Sequence, residues 1–232
     1  MSLRVLSFNI HKGNGWWVSR SIMRRIHRQI GLVIPDILFL QEILGTQFTQ
    51  LSEGNSSHKC YGMNVVYPKG NHGNAILSKY PILFSENVDL TMNKFEKRGM
   101  LHAVIKLPDR KFHTHLLCVH LGLFIKDRKK QLAEIARFIE KNISQNESII
   151  LGGDFNDWSN IASELLIGKL KFQEAFHNHH QAHAKTFPAW APMLRLDRMY
   201  FRGFNSINAI RHTSKAWKKL SDHLALEVHL IP

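Results

Sequence analysis

The 232-residue chain has little cysteine, few acids relative to bases and no long apolar run. Each shortage excludes something. Its 2 cysteines, Cys60 and Cys118, cannot build the disulfide framework of a secreted scaffold. Cys118 sits in the apolar stretch "LLCVHL", where a thiol packs as a small hydrophobe. A reducing, cytoplasmic setting follows as the expectation. No segment approaches the run of about 18 apolar residues that would read as a membrane span. The start, "MSLRVLSFNI", lacks the apolar core and small-residue cleavage site of a secretory signal. Acids number 18 against 31 lysines and arginines, a net charge of +13. That excess favours a polyanionic partner, nucleic acid or an anionic membrane surface, and says nothing about fold. Several chemical signatures are missing as well. No HExxH or CxxC pattern points to zinc, no GxxxxGK[ST] loop to triphosphate hydrolysis, and no GxSxG elbow to a serine hydrolase.

What is present is a chain with 44% hydrophobic residues, enough for a full core. "LRVLSFNI" alternates and reads as a strand. "SRSIMRRIHRQIGL" spaces Ile22, Ile26 and Ile30 by four, an amphipathic helix with a basic outer face. "PDILFLQE" is a short apolar strand that runs up to Glu42 and suits burial on both sides. "NAILSKYPILFSENVDL" and "MLHAVIKLPDRKFHTHLLCVHL" read as hairpin-linked strands. A helix carries Leu132, Ile135 and Ile139 on one face; "SIILGGD" is the next strand, and a helix is expected near Ile161 to Ile167. "RLDRMYFRG", "FNSINAIRH" and "DHLALEVHL" close the chain as strands, the last opened by Asp222 and His223. No repeat or linker divides the sequence, so 1–232 is expected to be one domain. The order departs from strict βαβ alternation, and suits two packed sheets with helices outside, an α/β sandwich.

Polar residues gather at the strand ends: Asn9, Glu42, His120, then Asp154 and Asn156 after "IILGG". A carboxylate closing an apolar strand is costly unless it is paired, hydrogen-bonded or holding a metal. Each alone has an ordinary explanation, since a single His120 on an apolar strand is more often a satisfied core histidine. Together they are hard oxygen ligands plus proton-transfer groups. Mg²⁺ takes one or two carboxylates and leaves room for substrate phosphate. The chemistry that fits is metal-assisted phosphodiester hydrolysis, with Asp154 orienting and deprotonating a water and Asn156 bonding a phosphate oxygen. Asp197 in "RLDRMY" is a candidate to orient His223; its alternative is a salt bridge to Arg195 or Arg198.

The segments "VLSFNIHKG", "LFLQE", "GNAILSKYPI", "KRGMLHAVI", "VHLGL", "LGGDFND", "TFPAWAPMLRLDRMYF" and "LSDHLALEV" follow in that order nearly end to end. They resemble the endonuclease/exonuclease/phosphatase superfamily, and in detail a small bacterial subgroup of it. The resemblance implies a four-layer α/β sandwich, two packed mixed β-sheets flanked by helices. It implies Mg²⁺ as cofactor, with Mn²⁺ as a substitute, held by Glu42 with Asn9 beside it and Asp222 as a further acid. It implies Asp154 as the water-orienting carboxylate, Asn156 as a phosphate ligand, and His223–Asp197 as a dyad. His120 is similar to the second histidine of the deoxyribonuclease and sphingomyelinase branches, and Arg98 to an arginine that meets the substrate phosphate. Asp157 and His11 have no role in the resemblance and are read as structural.

Substrate is carried by the loops. Trp16, Trp17, Phe187, Trp190 and Trp217, with Lys215, Lys218 and Lys219, interleave aromatic and basic groups beside the motifs. Trp190, Trp217, Lys218 and Lys219 are the substrate-binding candidates, suited to base stacking and phosphate tracking. The leading expectation is a nuclease on DNA or RNA. The alternatives are the same chemistry on a phospholipid or inositol phosphate, and a non-catalytic binding module that keeps the fold. Nothing points to a protein partner, and a monomer is expected.

Overall fold

The computed structural model describes residues 2–13, 21–51, 58–67, 70–108 and 110–231. Trp16 and Trp17 lie outside the described residues. In chain order the elements are β1 (Leu3–Asn9), α1 (Ser21–Val33), β2 (Ile37–Leu44), α2 (Gly45–Leu51), β3 (His58–Tyr67), β4 (Gly70–Ser78), β5 (Ile82–Asp89), β6 (Gly99–Ile105), β7 (Thr114–His120), α3 (Ile125–Asn142), β8 (Ser148–Asp154), α4 (Ile161–Gly168), β9 (Gln173–Glu174), α5 (Ala175–His180), β10 (Asp197–Arg202), β11 (Asn205–Arg211) and β12 (Leu226–Ile231). Among the described residues the strands form two six-stranded sheets, ordered β11-β12-β1-β2-β4-β3 and β5-β6-β7-β8-β10-β9. Each is mixed. β1 and β2 run parallel across the α1 connection, and β7 and β8 run parallel across α3; the other pairings are antiparallel.

Three apolar clusters produce the four layers. Leu3, Val5, Ile37 and Phe39 of the first sheet meet Leu116, Cys118, Ile150, Met199 and Phe201 of the second. The outward residues Leu6, Phe8, Leu38 and Leu40 pack under Ile22, Ile26, Ile30 and Val33 of α1. Leu117, Val119, Ile149 and Leu151 pack under Leu132, Ile135 and Ile139 of α3. The four-residue spacing of the isoleucines in α1 and the period-2 alternation in the strands are what make this sorting possible. The sandwich expected from the sequence is the observed architecture.

One pairing was read wrongly. "NAILSKYPILFSENVDL" does not fold back as a hairpin: β4 lies between β2 and β3, so both its edges are taken. β5 crosses instead to the second sheet and pairs with β6. The second expected hairpin, β6–β7, is present. β3, α2 and α5 were not anticipated. The last strand begins at Leu226, so Asp222 and His223 sit in the loop before it rather than in its first turns.

Two buried histidines lie on the outer face of the second sheet. His102 of β6 stacks on His115 of β7 and on Phe138 of α3. His102 Nε2 is 2.9 Å from His115 Nδ1, and His102 Nδ1 is 3.1 Å from Glu86 Oε1. Only one proton fits between the facing nitrogens, and burial lowers the pKa of both rings. A histidine whose folded pKa is depressed stabilises the fold above its unfolded pKa of about 6.5 and loses that contribution as pH falls below it. Thermal melts of the wild type should give a Tm a few °C lower at pH 5.5 than at pH 7.5, since about 1 kcal/mol shifts Tm by roughly 2–4 °C at this size. The double variant His102→Gln/His115→Gln should show a smaller difference between the two pH values. An equal difference would remove the pair as a source of acid lability.

Candidate active site

Period-2 alternation carries the polar strand ends to one place. On β1 the inward series Leu3, Val5, Ser7 ends at Asn9; on β7 Leu116 and Cys118 lead to His120; on β8 Ile150 and Gly152 lead to Asp154. β10 runs antiparallel and starts inward with Asp197, two residues before Met199. His120, Asp154 and Asp197 are register partners in one row across the second sheet, and Gly99, which follows Arg98, continues the row. Asn9 stands at the matching end of the first sheet, opposite Gln41. The same edge of both sheets therefore ends in polar groups.

Glu42 needs a correction to reach them. Alternation after Leu38 and Leu40 would turn it toward α1. The β2–β4 register shifts by one residue between Leu40 and Ile43, a bulge, and Glu42 takes a left-handed φ of 55°. Bulges re-aim side chains next to functional sites. Left-handed backbone also occurs at His11 (46°), Lys12 (54°) and Asn156 (47°). Such conformations cost free energy in non-glycine residues, and four of them border this one edge. The two glycines before Asp154 are required by close contact, and Gly153 also by its φ of 142°. A Cβ on Gly152 would stand 2.9 Å from the Phe39 ring, and one on Gly153 2.0 Å from the Val119 carbonyl oxygen.

Asp154 is the hub. The residue is 1% exposed. Asn9 Nδ2 donates to Oδ2 at 3.0 Å, and the Asn156 backbone N–H donates to Oδ1 at 2.9 Å. His120 Nε2 and His223 Nε2 stand 3.5 and 3.7 Å from Oδ2. Burial raises the Asp154 carboxyl to about 6, with Asp197 adding and His223 opposing. His223 is oriented from behind: Nδ1 is 2.8 Å from Asp197 Oδ2, which also accepts from the Thr186 hydroxyl at 2.5 Å. Burial acts to lower the His223 pKa, but the Asp197 and Asp154 carboxylates outweigh it and lift the ring to about 10. His120 goes the other way. Burial, Arg98 and His223 hold it well below the ordinary histidine value. One ring is thus a cation at neutral pH and the other is neutral.

The alternative role for Asp197 is not realised, because Arg198 donates instead to the carbonyl oxygens of Asp157 and Arg195. Asp157 is structural, capping α4 through the N–H groups of Ser159 and Ala162. His11 holds the Asp222 side chain: its Nδ1 lies 2.7 Å from Asp222 Oδ2. The Asp222 loop is tied to β1 by the Ser221 hydroxyl, which donates to the Asn9 carbonyl at 2.7 Å. Thr186 went unnoticed in the sequence, while Phe187, named among the rim aromatics, places its ring 5.1 Å from His223. Lys12 was missed too, with its Nζ 3.8 Å from Glu42 Oε2.

Glu42 and Asp222 supply the hard carboxylate oxygens that a divalent cation would need, and Glu42 keeps some exposure. Asn9 turns its amide nitrogen to Glu42 (3.4 Å) and Asp154, and its oxygen accepts from the His11 N–H. It therefore aligns the acids. The tightest set of ligating atoms, Asp154, Asp197 and His223, lies within 4.8 Å. Two of those three are already hydrogen-bonded to each other, which marks that set as proton-handling rather than as a cation cage. The donor set on the Glu42 side fits a hard cation.

Of the substrate-binding candidates, Trp217 is displaced from its expected role. It is 4% exposed and packs edge-on against Phe8 and over His212. The turn that carries it closes over the first sheet, so its ring fills core. Lys215 and Lys219 are exposed and Lys218 is half-buried. Trp190 is exposed, next to Ala189, whose N–H donates to the Asp222 carbonyl at 2.7 Å. Arg98 makes a 3.4 Å contact with Glu96. Asn156 commits one amide hydrogen to the Leu121 carbonyl.

If Asp197 holds the charge on His223, Asp197→Asn should lower the His223 pKa by about 1–3 units. Histidine ring NMR titration of the cation-free protein measures this. An unchanged titration would make Asp197 a packing residue only.

Among the described residues no helix is long and apolar enough to cross a membrane. The chain is 36% identical over 246 residues to the uncharacterized protein YbhP of Escherichia coli K12, covering 99% of this chain and 97% of that protein. Its fold is similar to that of TDP2 from D. rerio, solved with a single-strand DNA product (TM-score 0.79, 17% identity, 100% and 99% of the two chains). It is also similar to a mannosyl-6-phosphatase of Bacteroides thetaiotaomicron (TM-score 0.78, 19% identity, 99% and 100%). The sequence profile of the Endonuclease/Exonuclease/phosphatase family matches residues 6–223, and with a row of acids and histidines at the shared edge of two stacked sheets, the chain belongs to that family and is a phosphoric ester hydrolase.

Proposed function

We propose that the protein is a divalent-cation-dependent phosphodiesterase acting on nucleic acid. The observation that carries the reading is the arrangement around Asp154, a buried carboxylate with His120 and His223 at 3.5 and 3.7 Å from one of its oxygens and Asn9 linking it to Glu42. Glu42, with Asn9 aligning it and Asp222 as a second acid, would hold Mg²⁺, or Mn²⁺ in its place. The cation, when bound, polarises a phosphoryl oxygen and offsets charge on the leaving oxygen.

The chain's own groups do the rest. Asp154, ionised above its raised pKa, orients a water and takes its proton as the oxygen attacks phosphorus. The P–O ester bond breaks, the leaving oxygen takes a proton from solvent water to leave as an alcohol, and Asp154 returns its own proton to solvent, so the proton count closes. His223 carries N–H groups on both nitrogens while it is charged. Asp197 fixes one of them, and the other is free to bond a phosphoryl oxygen as negative charge builds there. His120, neutral, supplies one further hydrogen bond. Arg98 meets the phosphate from the β6 end of the row, and Asn156 uses its remaining amide hydrogen on a phosphate oxygen.

Two features favour nucleic acid over lipid or inositol phosphate. The net charge of +13 suits a polyanion, and the exposed Trp190 beside the Asp222 loop suits a base. Lys218 and Lys219 extend that basic surface. The sugar phosphate named for one structural neighbour keeps a small phosphomonoester as the second reading.

The discriminating assay offers single- and double-stranded DNA, RNA, sphingomyelin, phosphatidylinositol phosphates, a hexose 6-phosphate and bis(p-nitrophenyl) phosphate side by side with Mg²⁺. A nucleic acid should be turned over with the highest kcat/KM, and preference for a sugar phosphate or lipid would overturn the substrate assignment. Glu42→Gln should cut the rate about 10²-fold or more, while cation-free Tm stays the same or rises as acid repulsion is relieved. Full activity in that variant would remove Glu42 from the site. Asp197→Asn should lower kcat about 10²- to 10⁴-fold with little change in KM.

A further inference from the structure

A cavity of about 500 Å³ opens beside the segments that hold the dyad. That volume is in the range of small-ligand sites. Its polar lining is His180, His183, Lys185, Arg195, Arg211 and Thr213, and no carboxylate lines it among the described residues. Among the described residues no ion pair involves Lys185 or Arg195. Lys185, Arg195 and Arg211 put three cationic side chains on one concavity with no acid among them, a surface that attracts an anion.

Parts of the wall are fixed in advance. Arg211 donates from one guanidinium nitrogen to the Lys185 carbonyl at 2.8 Å, which leaves its other N–H groups for a ligand. His183 is held between Glu174 (2.9 Å) and the Ser163 hydroxyl (3.2 Å). Glu174 is buried, and the same oxygen also accepts the His177 N–H, so it sits behind the ring and does not neutralise the cavity. Guanidinium and ammonium groups without acids are the usual chemistry of phosphate recognition. Position adds to this. Lys185 precedes Thr186, and Arg195 lies two residues before Asp197, so the segments that orient His223 also supply the cavity's charge.

We propose that this cavity is a second phosphate-binding site, separate from the hydrolytic edge. It takes either free phosphate or a phosphate group carried on the substrate away from the bond being broken. Binding of free phosphate does not depend on the hydrolytic reading, because it is measured without a cation and without turnover.

The probe is inorganic phosphate at constant ionic strength with a chelator present, followed by amide NMR shifts and by titration calorimetry. Shifts should appear at residues 183–185, 195 and 209–213. The double variant Lys185→Gln/Arg195→Gln should weaken phosphate binding about tenfold or more. Its hydrolysis of bis(p-nitrophenyl) phosphate should be unchanged, which also reports that it has folded. A second arm separates the sources. If KM rises severalfold for a short single-stranded oligonucleotide, with kcat unchanged, the site takes the substrate's own phosphate. If phosphate binding is lost while KM for the oligonucleotide holds, the site takes the free ion. Both results support the site. Equal phosphate affinity in the variant, or wild-type shifts that avoid this cavity, would overturn it.

Discussion

A carboxylate buried at the seam of two sheets constrains this molecule. Asp154 closes one of the two central strands of the second sheet, and its hydrogen-bond partner Asn9 closes one of the two central strands of the first. An ionised carboxylate removed from water destabilises a fold by several kcal/mol unless donors and opposite charge surround it. Asn9, the Asn156 N–H and the charged His223 ring supply them. Each of those partners is itself fixed by something further away: Asn9 by the N–H of His11, Asn156 by the Leu121 carbonyl, His223 by Asp197 and Thr186. The arrangement closes only if the two sheets stack with these strand ends level. Gly152 permits that stacking, because Phe39 of the first sheet and Met199 fill the space its Cβ would need.

The sheets solve the same problem in the same way. Each has one parallel pair at its middle, joined through a helix on the outer face, and each pair ends at the same edge. Parallel strands bring two C-terminal ends together, so four strand ends converge from only two crossovers. Antiparallel neighbours deliver the rest: β10 starts where β8 stops, and β6 starts where β7 stops. The strained backbone at His11, Lys12, Glu42 and Asn156 is what remains once the strands have run out and side chains must still be turned inward.

Much of this was legible because it depends on short periods. Alternation in "LLCVH" and "SIILGGD" fixes which face His120 and Asp154 occupy, and the apolar face of "IARFIE" fixes how α3 covers the sheet. What depended on pairing across the chain was not legible. "SKYP" looks like a hairpin link, and only the occupied edges of β4 send β5 to the other sheet. His11 follows Asn9 in the motif, yet its partner Asp222 is 211 residues away and brought near by the β1–β12 pairing. Trp217 among lysines reads alike whether it stacks on a ligand or on Phe8; the turn's apolar side, with Leu220, decides for the core. Glu42 was found from its position at the end of an apolar run, but alternation alone would have pointed it the wrong way, and the bulge that corrects it leaves no pattern in "LFLQEIL".

The two histidines show how one residue type is divided between two roles by its neighbours. Both are buried to a similar degree, 7% for His120 and 6% for His223, so desolvation acts on both in the same direction. The difference lies in what faces each ring. His223 has Asp197 at hydrogen-bond distance and Asp154 within ion-pair distance, and these favour the cation. His120 has Asp154 at 3.5 Å but also Arg98 and the His223 cation acting on it, and these favour the neutral ring. The charge on His223 thus helps to keep His120 uncharged. Removing Asp197 would therefore act on both rings, since it is the nearer anion that sustains the charge His120 feels. Asp197 and Arg98 stand at opposite ends of the row, so the ring nearer the acid is the one favoured as a cation and the ring nearer the arginine is the one favoured as neutral.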